Sequence, residues 1–483
     1  GAGANNVGVA GALAVNAAVN TTVAAIEGDK DASGTPGYGA GANVNATTAG
    51  GAGDVLVEAQ SATKNTVVSG ADVKMEGDAA KVGIGASVGM NVAVNTTVAE
   101  IGDNAILSGG KDLDLNATAA HAMSTTVTGG AAGAKVSVTP VAAVSIAVNT
   151  TTARAGDSAT ALGLTGTLSA HADQTDTVTT KATGQAQGDV AVGASLAAAV
   201  VVETVTASVE RGVASSTGID LGASSESSVR TEAVAGAKGA KAAAKDPATG
   251  EEKPEAGTTV DEQKKTQLDS AKKRNDSTRT LDTDTKTPKA ETPEVNKNET
   301  TEISKDKNQN QTPDKKQESK KVSVAAAIGV GVVVNQATAT IGGAGRSVRT
   351  TGKMDVKSTT DTNYETMATG EAVSDNVGVA AAVALTGTFN KTQANIAAGT
   401  TVVQAGDIDV IATANQNRDP AFRLDMAAEA VSGASGGDVA VAGSLAVVGN
   451  YNETRASIDE GVTIGTNIDA DPEIEPVGNV TVK

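Results

Sequence analysis

The stretch Val82 to Ile101, VGIGASVGMNVAVNTTVAEI, alternates without a break between two kinds of position. Val82, Ile84, Ala86, Val88, Met90, Val92 and Val94 form one apolar row, and Gly83, Gly85, Ser87, Gly89, Asn91 and Ala93 fall between them. A period of two belongs to a strand and not to a helix, and β-branched residues suit a pleated surface. The second row is almost wholly small residues, where a solvated sheet face would carry Lys, Glu and Thr. The same pattern opens again at Val7, Val136, Val190, Val322, Val377 and Val439, so the chain holds seven copies. Undisturbed openings lie 54 residues apart from 82 to 136 and from 136 to 190, and 55 apart from 322 to 377. A fixed period of this length marks a repeat architecture.

Each copy carries the same landmarks. Thirteen residues after the opening stands Asn20, Asn95, Asn149, Glu203, Asn335, Asn390 or Asn452. Four further on, every copy has alanine: Ala24, Ala99, Ala153, Ala207, Ala339, Ala394 and Ala456. A shorter alternating run follows, as in VLVEA from Val55, LDLNA from Leu113 and MDVKS from Met354. Asn tolerates the left-handed conformation of a corner and stacks into amide ladders. The six asparagines are therefore expected to form a structural corner ladder, and the seven alanines to sit at tight corners that admit nothing larger.

The expected fold is all-β, a repetitive parallel β-helix (β-solenoid) of seven modules of about 54 residues, with one long disordered insertion. The 31-residue and 23-residue parts of a module resemble two coils with short strands. The alternative is an antiparallel meander whose long run would be one strand of ~65 Å, at about 3.3 Å per residue. Soluble domains usually use strands of about five or six residues, which favours the β-helix. The expected domains are modules one to four over 1–237, the insertion over 238–321, and modules five to seven over 322–483.

The insertion stands apart by composition. Between Lys238 and Lys321 there are 19 basic and 17 acidic residues and five of the ten prolines, with few large apolar side chains. Such a stretch cannot bury enough surface to offset chain entropy. The remainder holds 19 basic and 39 acidic residues, so the repeats carry a charge of about −20, which the insertion's +2 brings to −18 for the whole chain. An acidic surface argues against nucleic acid as a partner. Aromatic residues are 1% and Trp is absent, so Val, Ile, Leu and Ala are expected to fill a thin core. Cysteine is absent, which excludes a disulfide framework. No run reaches the roughly 18 apolar residues of a membrane helix. The sequence begins and ends inside the repeating pattern with no signal-like segment, and reads as an excerpt of a longer chain.

Candidates for chemistry are few. His121 and His171 fall after neighbouring short runs and are read as surface residues stacked by the repeat, because first-row metal sites take three or four ligands. Asp469, Asp471, Glu473 and Glu475 lack the spacing of a calcium loop and are read as a solvated acidic segment. Gly83-x-Gly85 lies inside a strand pattern with no helix following, so it is no dinucleotide loop. Asp112, Asp114, Asp220, Asp355 and Asp409 recur with the short runs, as scaffold residues do. N-x-T sequons at Asn20, Asn95, Asn149, Asn390 and Asn452 coincide with the expected ladder, and others stand at Asn45 and Asn116. No catalytic, cofactor-binding or metal-binding residue is expected, and no cofactor. The small-residue rows are either a second interior wall or a surface for close approach by another chain.

At NTTxAxI (Asn95 to Ile101) and the following GDNAILSGGKDLDLNA (Gly102 to Ala117), the chain resembles leukotoxin-type filamentous adhesins and haemagglutinin-like large bacterial exoproteins. The resemblance covers nearly the whole chain except Lys238 to Lys321. It implies a β-helical shaft exported across the outer membrane to the cell surface, with a host cell or matrix surface and the flanking repeats of the same chain as partners. The expected function is thus a structural and adhesive segment, not an enzyme, that presents inserted loops such as Gly34 to Gly53 and Arg418 to Leu424. Two other readings are a polysaccharide-active β-helix enzyme and an extracellular fibre that self-associates laterally through its Gly/Ala faces.

Overall fold

The computed structural model describes residues 2–4, 6–28, 41–48, 51–75, 81–239, 321–415, 426–465 and 477–483. Strands follow one another through all of them. Ahead of the charged stretch these are β1 (Ala2–Ala4), β2 (Val7–Ile26), β3 (Asn43–Asn45), β4 (Thr47–Thr48), β5 (Gly51–Met75) and β6 (Val82–Ile101). They continue as β7 (Ile106–Ser108), β8 (Gly110–Ala155), β9 (Leu162–Gly163), β10 (Thr167–Val209), β11 (Val213–Ser215) and β12 (Gly218–Gly239). After it come β13 (Val322–Ile341), β14 (Ser347–Arg349), β15 (Met354–Val373), β16 (Val377–Ile396) and β17 (Thr401–Gln404). The last are β18 (Ile408–Asn415), β19 (Met426–Ser435), β20 (Val439–Ile458), β21 (Thr463–Ile464) and β22 (Val480–Val482).

Pairing is parallel throughout, apart from the small β4–β5 hairpin. Val82 pairs with Val136, Val136 with Val190, Val190 with Val322, Val322 with Val377, and Val377 with Val439. The alternating runs thus form a front layer, β2–β6–β8–β10–β13–β16–β20, using the second halves of β8 and β10. The shorter runs form a back layer, β5–β8–β10–β12–β15–β18, using their first halves. A narrow side strip, β9–β11–β14–β17–β21, lies between the end of each front strand and the start of the next back strand. Repeats four and five stay in full register across the charged stretch, from Val190↔Val322 to Val209↔Ile341. That stretch, apart from its ends, lies outside the described residues, as do the acidic segment at Asp469 and the loop at Arg418.

Two expectations need correction. The strands are long, as in the rejected meander, yet parallel. A front strand of 20 residues extends roughly 66 Å at about 3.3 Å per residue. One 54-residue repeat also makes one tier, not two coils, because partners are displaced by a whole repeat and never by half of one.

Of the two readings of the small rows, the structure shows the interior wall. Along β6 the small row, Gly83, Gly85, Ser87, Gly89, Asn91 and Ala93, is buried, while Val88 and Met90 of the large row are exposed. The gap between the layers explains this. Near the turn joining a back strand to the next front strand the two backbones nearly touch. A Cβ on Gly85 would run into the Gly130 carbonyl, one on Gly193 into that of Gly236, and one on Gly370 into that of Ala381. Gly, Ala and Ser prevail there, Thr139 and Val141 enter where Gly129 faces them, and the core is an alanine-rich cluster including Ala143, Ala182, Ala197, Ala233 and Ala382. The gap widens toward the side strip, where Ile101, Leu113, Leu115, Leu162, Leu168 and Val348 fill it. The interior is therefore a wedge lined by alanine and leucine, and most valines of the front layer lie outside it.

Gly85→Ala should cost about 1–3 kcal/mol by overpacking this thin end. Gly11→Ala, whose added Cβ meets nothing within 4 Å, should stay within about 0.5 kcal/mol. Equal effects in denaturant melts would contradict the inward assignment of the small row.

Candidate functional site

The asparagines that recur in each repeat project into the middle of the wedge. Asn20 Nδ2 donates to Asn95 Oδ1 at 2.8 Å, and Asn95 Nδ2 to Asn149 Oδ1 at 2.7 Å. Near the other end Asn390 Nδ2 donates to Asn452 Oδ1 at 2.8 Å, and Thr362 Oγ1 bridges Asn335 and Asn390 with bonds of 3.3 Å each. This ladder runs through strand interiors and not along a corner, since Asn95 and its equivalents lie six residues before their strand ends. A second pair, Asn16 to Asn91 at 2.9 Å, stacks beside it. Ala99, Ala153, Ala207, Ala339 and Ala394 are likewise buried in-strand residues, with Ala24 and Ala456 partly buried against the same core. Their small size is set by the facing back strand, not by a corner. Asn95, Asn149 and Asn390 are buried, so their sequons cannot carry glycans in the folded chain.

The ladder breaks at the fourth repeat, where Glu203 replaces Asn. Across the gap from Glu203 stands Asp176 of the back layer, and both are buried. Asp176 Oδ2 accepts from Asn149 Nδ2 at 2.6 Å and from Gln174 Nε2 at 2.8 Å, and Glu203 Oε2 accepts from Ser225 Oγ at 2.9 Å. Asp176 Oδ1 and Glu203 Oε1 find no donor among the described residues if both groups are ionised. One proton held between the two carboxyls satisfies both oxygens. Burial first, and then the neighbouring Asp176 carboxylate, raise Glu203 well above its ordinary value of 4.5. Burial raises Asp176 as well.

The two histidines do not stack on one another. His121 pairs in register with Asp176, and His171 with Asn116. His121 is buried, its Nδ1 lies 2.8 Å from Thr63 Oγ1, and desolvation lowers its pKa against a smaller opposing effect of Asp176. It lies at the floor of a shallow hollow of about 360 Å³ lined also by Thr63, Lys64, Thr175 and Thr177. His171 is on the back surface with Nε2 3.4 Å from Asp220 Oδ2, a hydrogen bond that raises its pKa.

The recurrent aspartates also lie on the back surface. Lys353 joins Asp355 at 2.9 Å and Asp409 at 2.6 Å, and Lys111 joins Asp112 at 2.8 Å and Asp54 at 3.3 Å. Each exposed lysine thus bridges an aspartate of its own tier to one of the adjacent tier, Asp409 for Lys353 and Asp54 for Lys111, in surface ion pairs of small energetic weight. No group of three or more His, Asp or Glu among the described residues is arranged to hold a metal. No described helix is long and apolar enough to cross a membrane.

Two functional features escaped the sequence reading. Arg211 is fully buried beside the side strip and donates to the carbonyls of Gly156 (2.5 Å), Ala105 (2.6 Å) and Gly102 (2.8 Å). It ties the ends of three tiers together, and burial lowers its pKa to about 10. Its only signal in the sequence was a charge at the boundary of a strand pattern. The second feature is the outer face of the front layer, formed by the larger apolar row. Val88 is 43% exposed, Leu196 38%, Ile328 42% and Phe389 52%.

No family model, curated protein or solved structure matches the chain.

Asn95→Ala should cost about 1–3 kcal/mol, because Asn20 and Asn149 each lose a buried partner. Glu203→Gln places an amide N–H where the shared proton lies. The raised native pKa means that unfolding releases a proton above pH 4.5, so wild-type stability should fall as pH rises from there. His121, with its lowered pKa, contributes the opposite slope below pH 6.5 in both proteins. The variant's Tm advantage over wild type should therefore widen steadily with pH. Parallel pH profiles for the two would rule out the shared proton.

Proposed function

We propose that the chain is a structural and adhesive segment of a large bacterial surface or secreted filamentous protein, and that each 54-residue tier is one turn of a flattened β-solenoid. The supporting observation is the unbroken register. Six successive front pairings align the equivalent valines of seven tiers, and with them six asparagines and Glu203, including across the charged stretch. In such a stack each tier contacts only its neighbours, and stiffness comes from the hydrogen-bonded ladders and buried amides. The recurrent residues are occupied in this scaffold. Asn20, Asn95 and Asn149 bond one another, and Asp112, Asp355 and Asp409 pair with lysines. Attachment is then left to segments that interrupt the repeat, outside the cell, with a host cell or matrix surface as partner.

The test uses chain 1–483 with segments 29–40 and 416–425 each replaced by a short Gly-Ser linker. Attachment to cultured cells or extracellular matrix should weaken by about tenfold or more, with far-UV circular dichroism unchanged. Full attachment after both replacements would remove the loops from this reading. Turnover on a polysaccharide panel would replace it with an enzyme.

A further inference from the structure

The front layer presents seven outward positions from each of seven tiers, from Val7 to Val19 in the first and from Val439 to Tyr451 in the last. All 49 are apolar or glycine, and the Tyr451 hydroxyl is the sole polar group. With strands about 4.8 Å apart and about 3.3 Å per residue, this field covers roughly 1,200 Å². The largest apolar patch on a typical soluble monomer is about 300–600 Å². The exposure is not confined to the end tiers, because Val88, Leu196 and Ile328 lie on β6, β10 and β13, each paired on both sides.

We propose that a second copy of this chain covers this face, giving a two-fold dimer of front layer against front layer. Area is the first argument. Two such fields would bury about 2,400 Å² in total, above the roughly 1,200–2,000 Å² of a standard stable interface. Shape is the second. Both copies carry the same lattice, mostly Val, Ile and Leu with one column of Gly, Ala and Pro from Gly11 to Gly443, so the ridges of one fit along the groove and between the ridges of the other at ordinary sheet spacing. A two-fold operator uses the same patch on both copies and closes the assembly. Charge is the third. The field itself is uncharged, and its margins are polar: Lys81, Lys135 and Asp189 on one side, Thr96, Thr150 and Thr204 on the other. An apolar centre within a polar rim is the anatomy of a protein interface. A lipid surface fits less well, because a chain of net charge −18 with no cation in the field is repelled by anionic headgroups. The dimer rests on the two-layer fold and is independent of the adhesive reading.

The test is the solution mass of chain 1–483 at micromolar concentration. Wild type should sediment at twice 47.2 kDa. The triple variant Val88→Glu/Leu196→Glu/Ile328→Glu should be monomeric with unchanged circular dichroism. Thr126→Glu/Thr179→Glu, on the back surface, should remain dimeric. If the triple variant misfolds, Leu196→Cys decides, since the chain has no other cysteine. A bis-maleimide should link it into dimers, and the same substitution at Thr179 should link far less. A monomeric wild type, species larger than a dimer, or equal cross-linking at both sites would overturn the proposal. So would a monomer that floats with neutral or anionic vesicles.

Discussion

The narrow gap between the two layers governs the rest of the structure. Where backbones approach until a single Cβ at Gly85 or Gly193 would collide with a carbonyl, inward positions are mostly Gly, Ala and Ser, and the larger Thr139 and Val141 are matched by Gly129 opposite them. Where the side strip holds the layers apart, Leu113, Leu162 and Ile101 enter. Between them Asn95, Asn149 and Thr125 alternate with a small apolar cluster that includes Met123, Val178 and Tyr364, the last facing Gly331. Side-chain size along a front strand therefore reads out the thickness of the wedge. A thin core offers little hydrophobic stabilisation per residue, so in-register hydrogen bonding and the buried polar rows carry more of the load than in a globular domain.

That width also makes the fourth repeat instructive. Replacing the ladder amide by Glu203 leaves an acid in a place built for a neutral group, and the structure answers with Asp176 opposite. Two buried carboxyls side by side cannot both ionise without a large penalty. One proton between them leaves Glu203 a neutral hydrogen-bonding group, as Asn is elsewhere, and the single remaining charge is met on Asp176 by the donors Asn149 and Gln174. The substitution is thus accommodated by chemistry, not by a change of register, since Glu203 still pairs with Asn149 and Asn335.

Strand character, the seven copies, the 54-residue period and the stacking asparagines were legible because they repeat, and repetition averages out local noise. What was not legible depends on the third dimension. Period two says that faces alternate but not which face is inside, so the small rows stood open as an interior wall or an outer surface, and only the approach of the Gly130 carbonyl to Gly85 makes them the interior. The tier length was misjudged because typical strand lengths argued for corners within VGIGASVGMNVAVNTTVAEI, although nothing in it breaks a strand. Arg211 was invisible because its partners, the carbonyls of Gly102, Ala105 and Gly156, are backbone atoms of other tiers.

The apolar front face is not a by-product of the fold, because the molecule carries its own control. The back layer has the same strand geometry, the same neighbours above and below, and the same alternation. Its outward positions nevertheless read Ser169, His171, Asp173, Thr175, Thr177, Thr179 and Lys181 along β10. Sheet geometry plus solvent is therefore sufficient to produce Thr, Asp and Lys. Forty-nine outward positions without one charge need a cause that acts on the front layer alone. Strand propensity does not supply it, for Thr would serve that role nearly as well as Val and is used freely behind. The difference between the faces is a difference in what each meets outside the chain, and water answers only for the back.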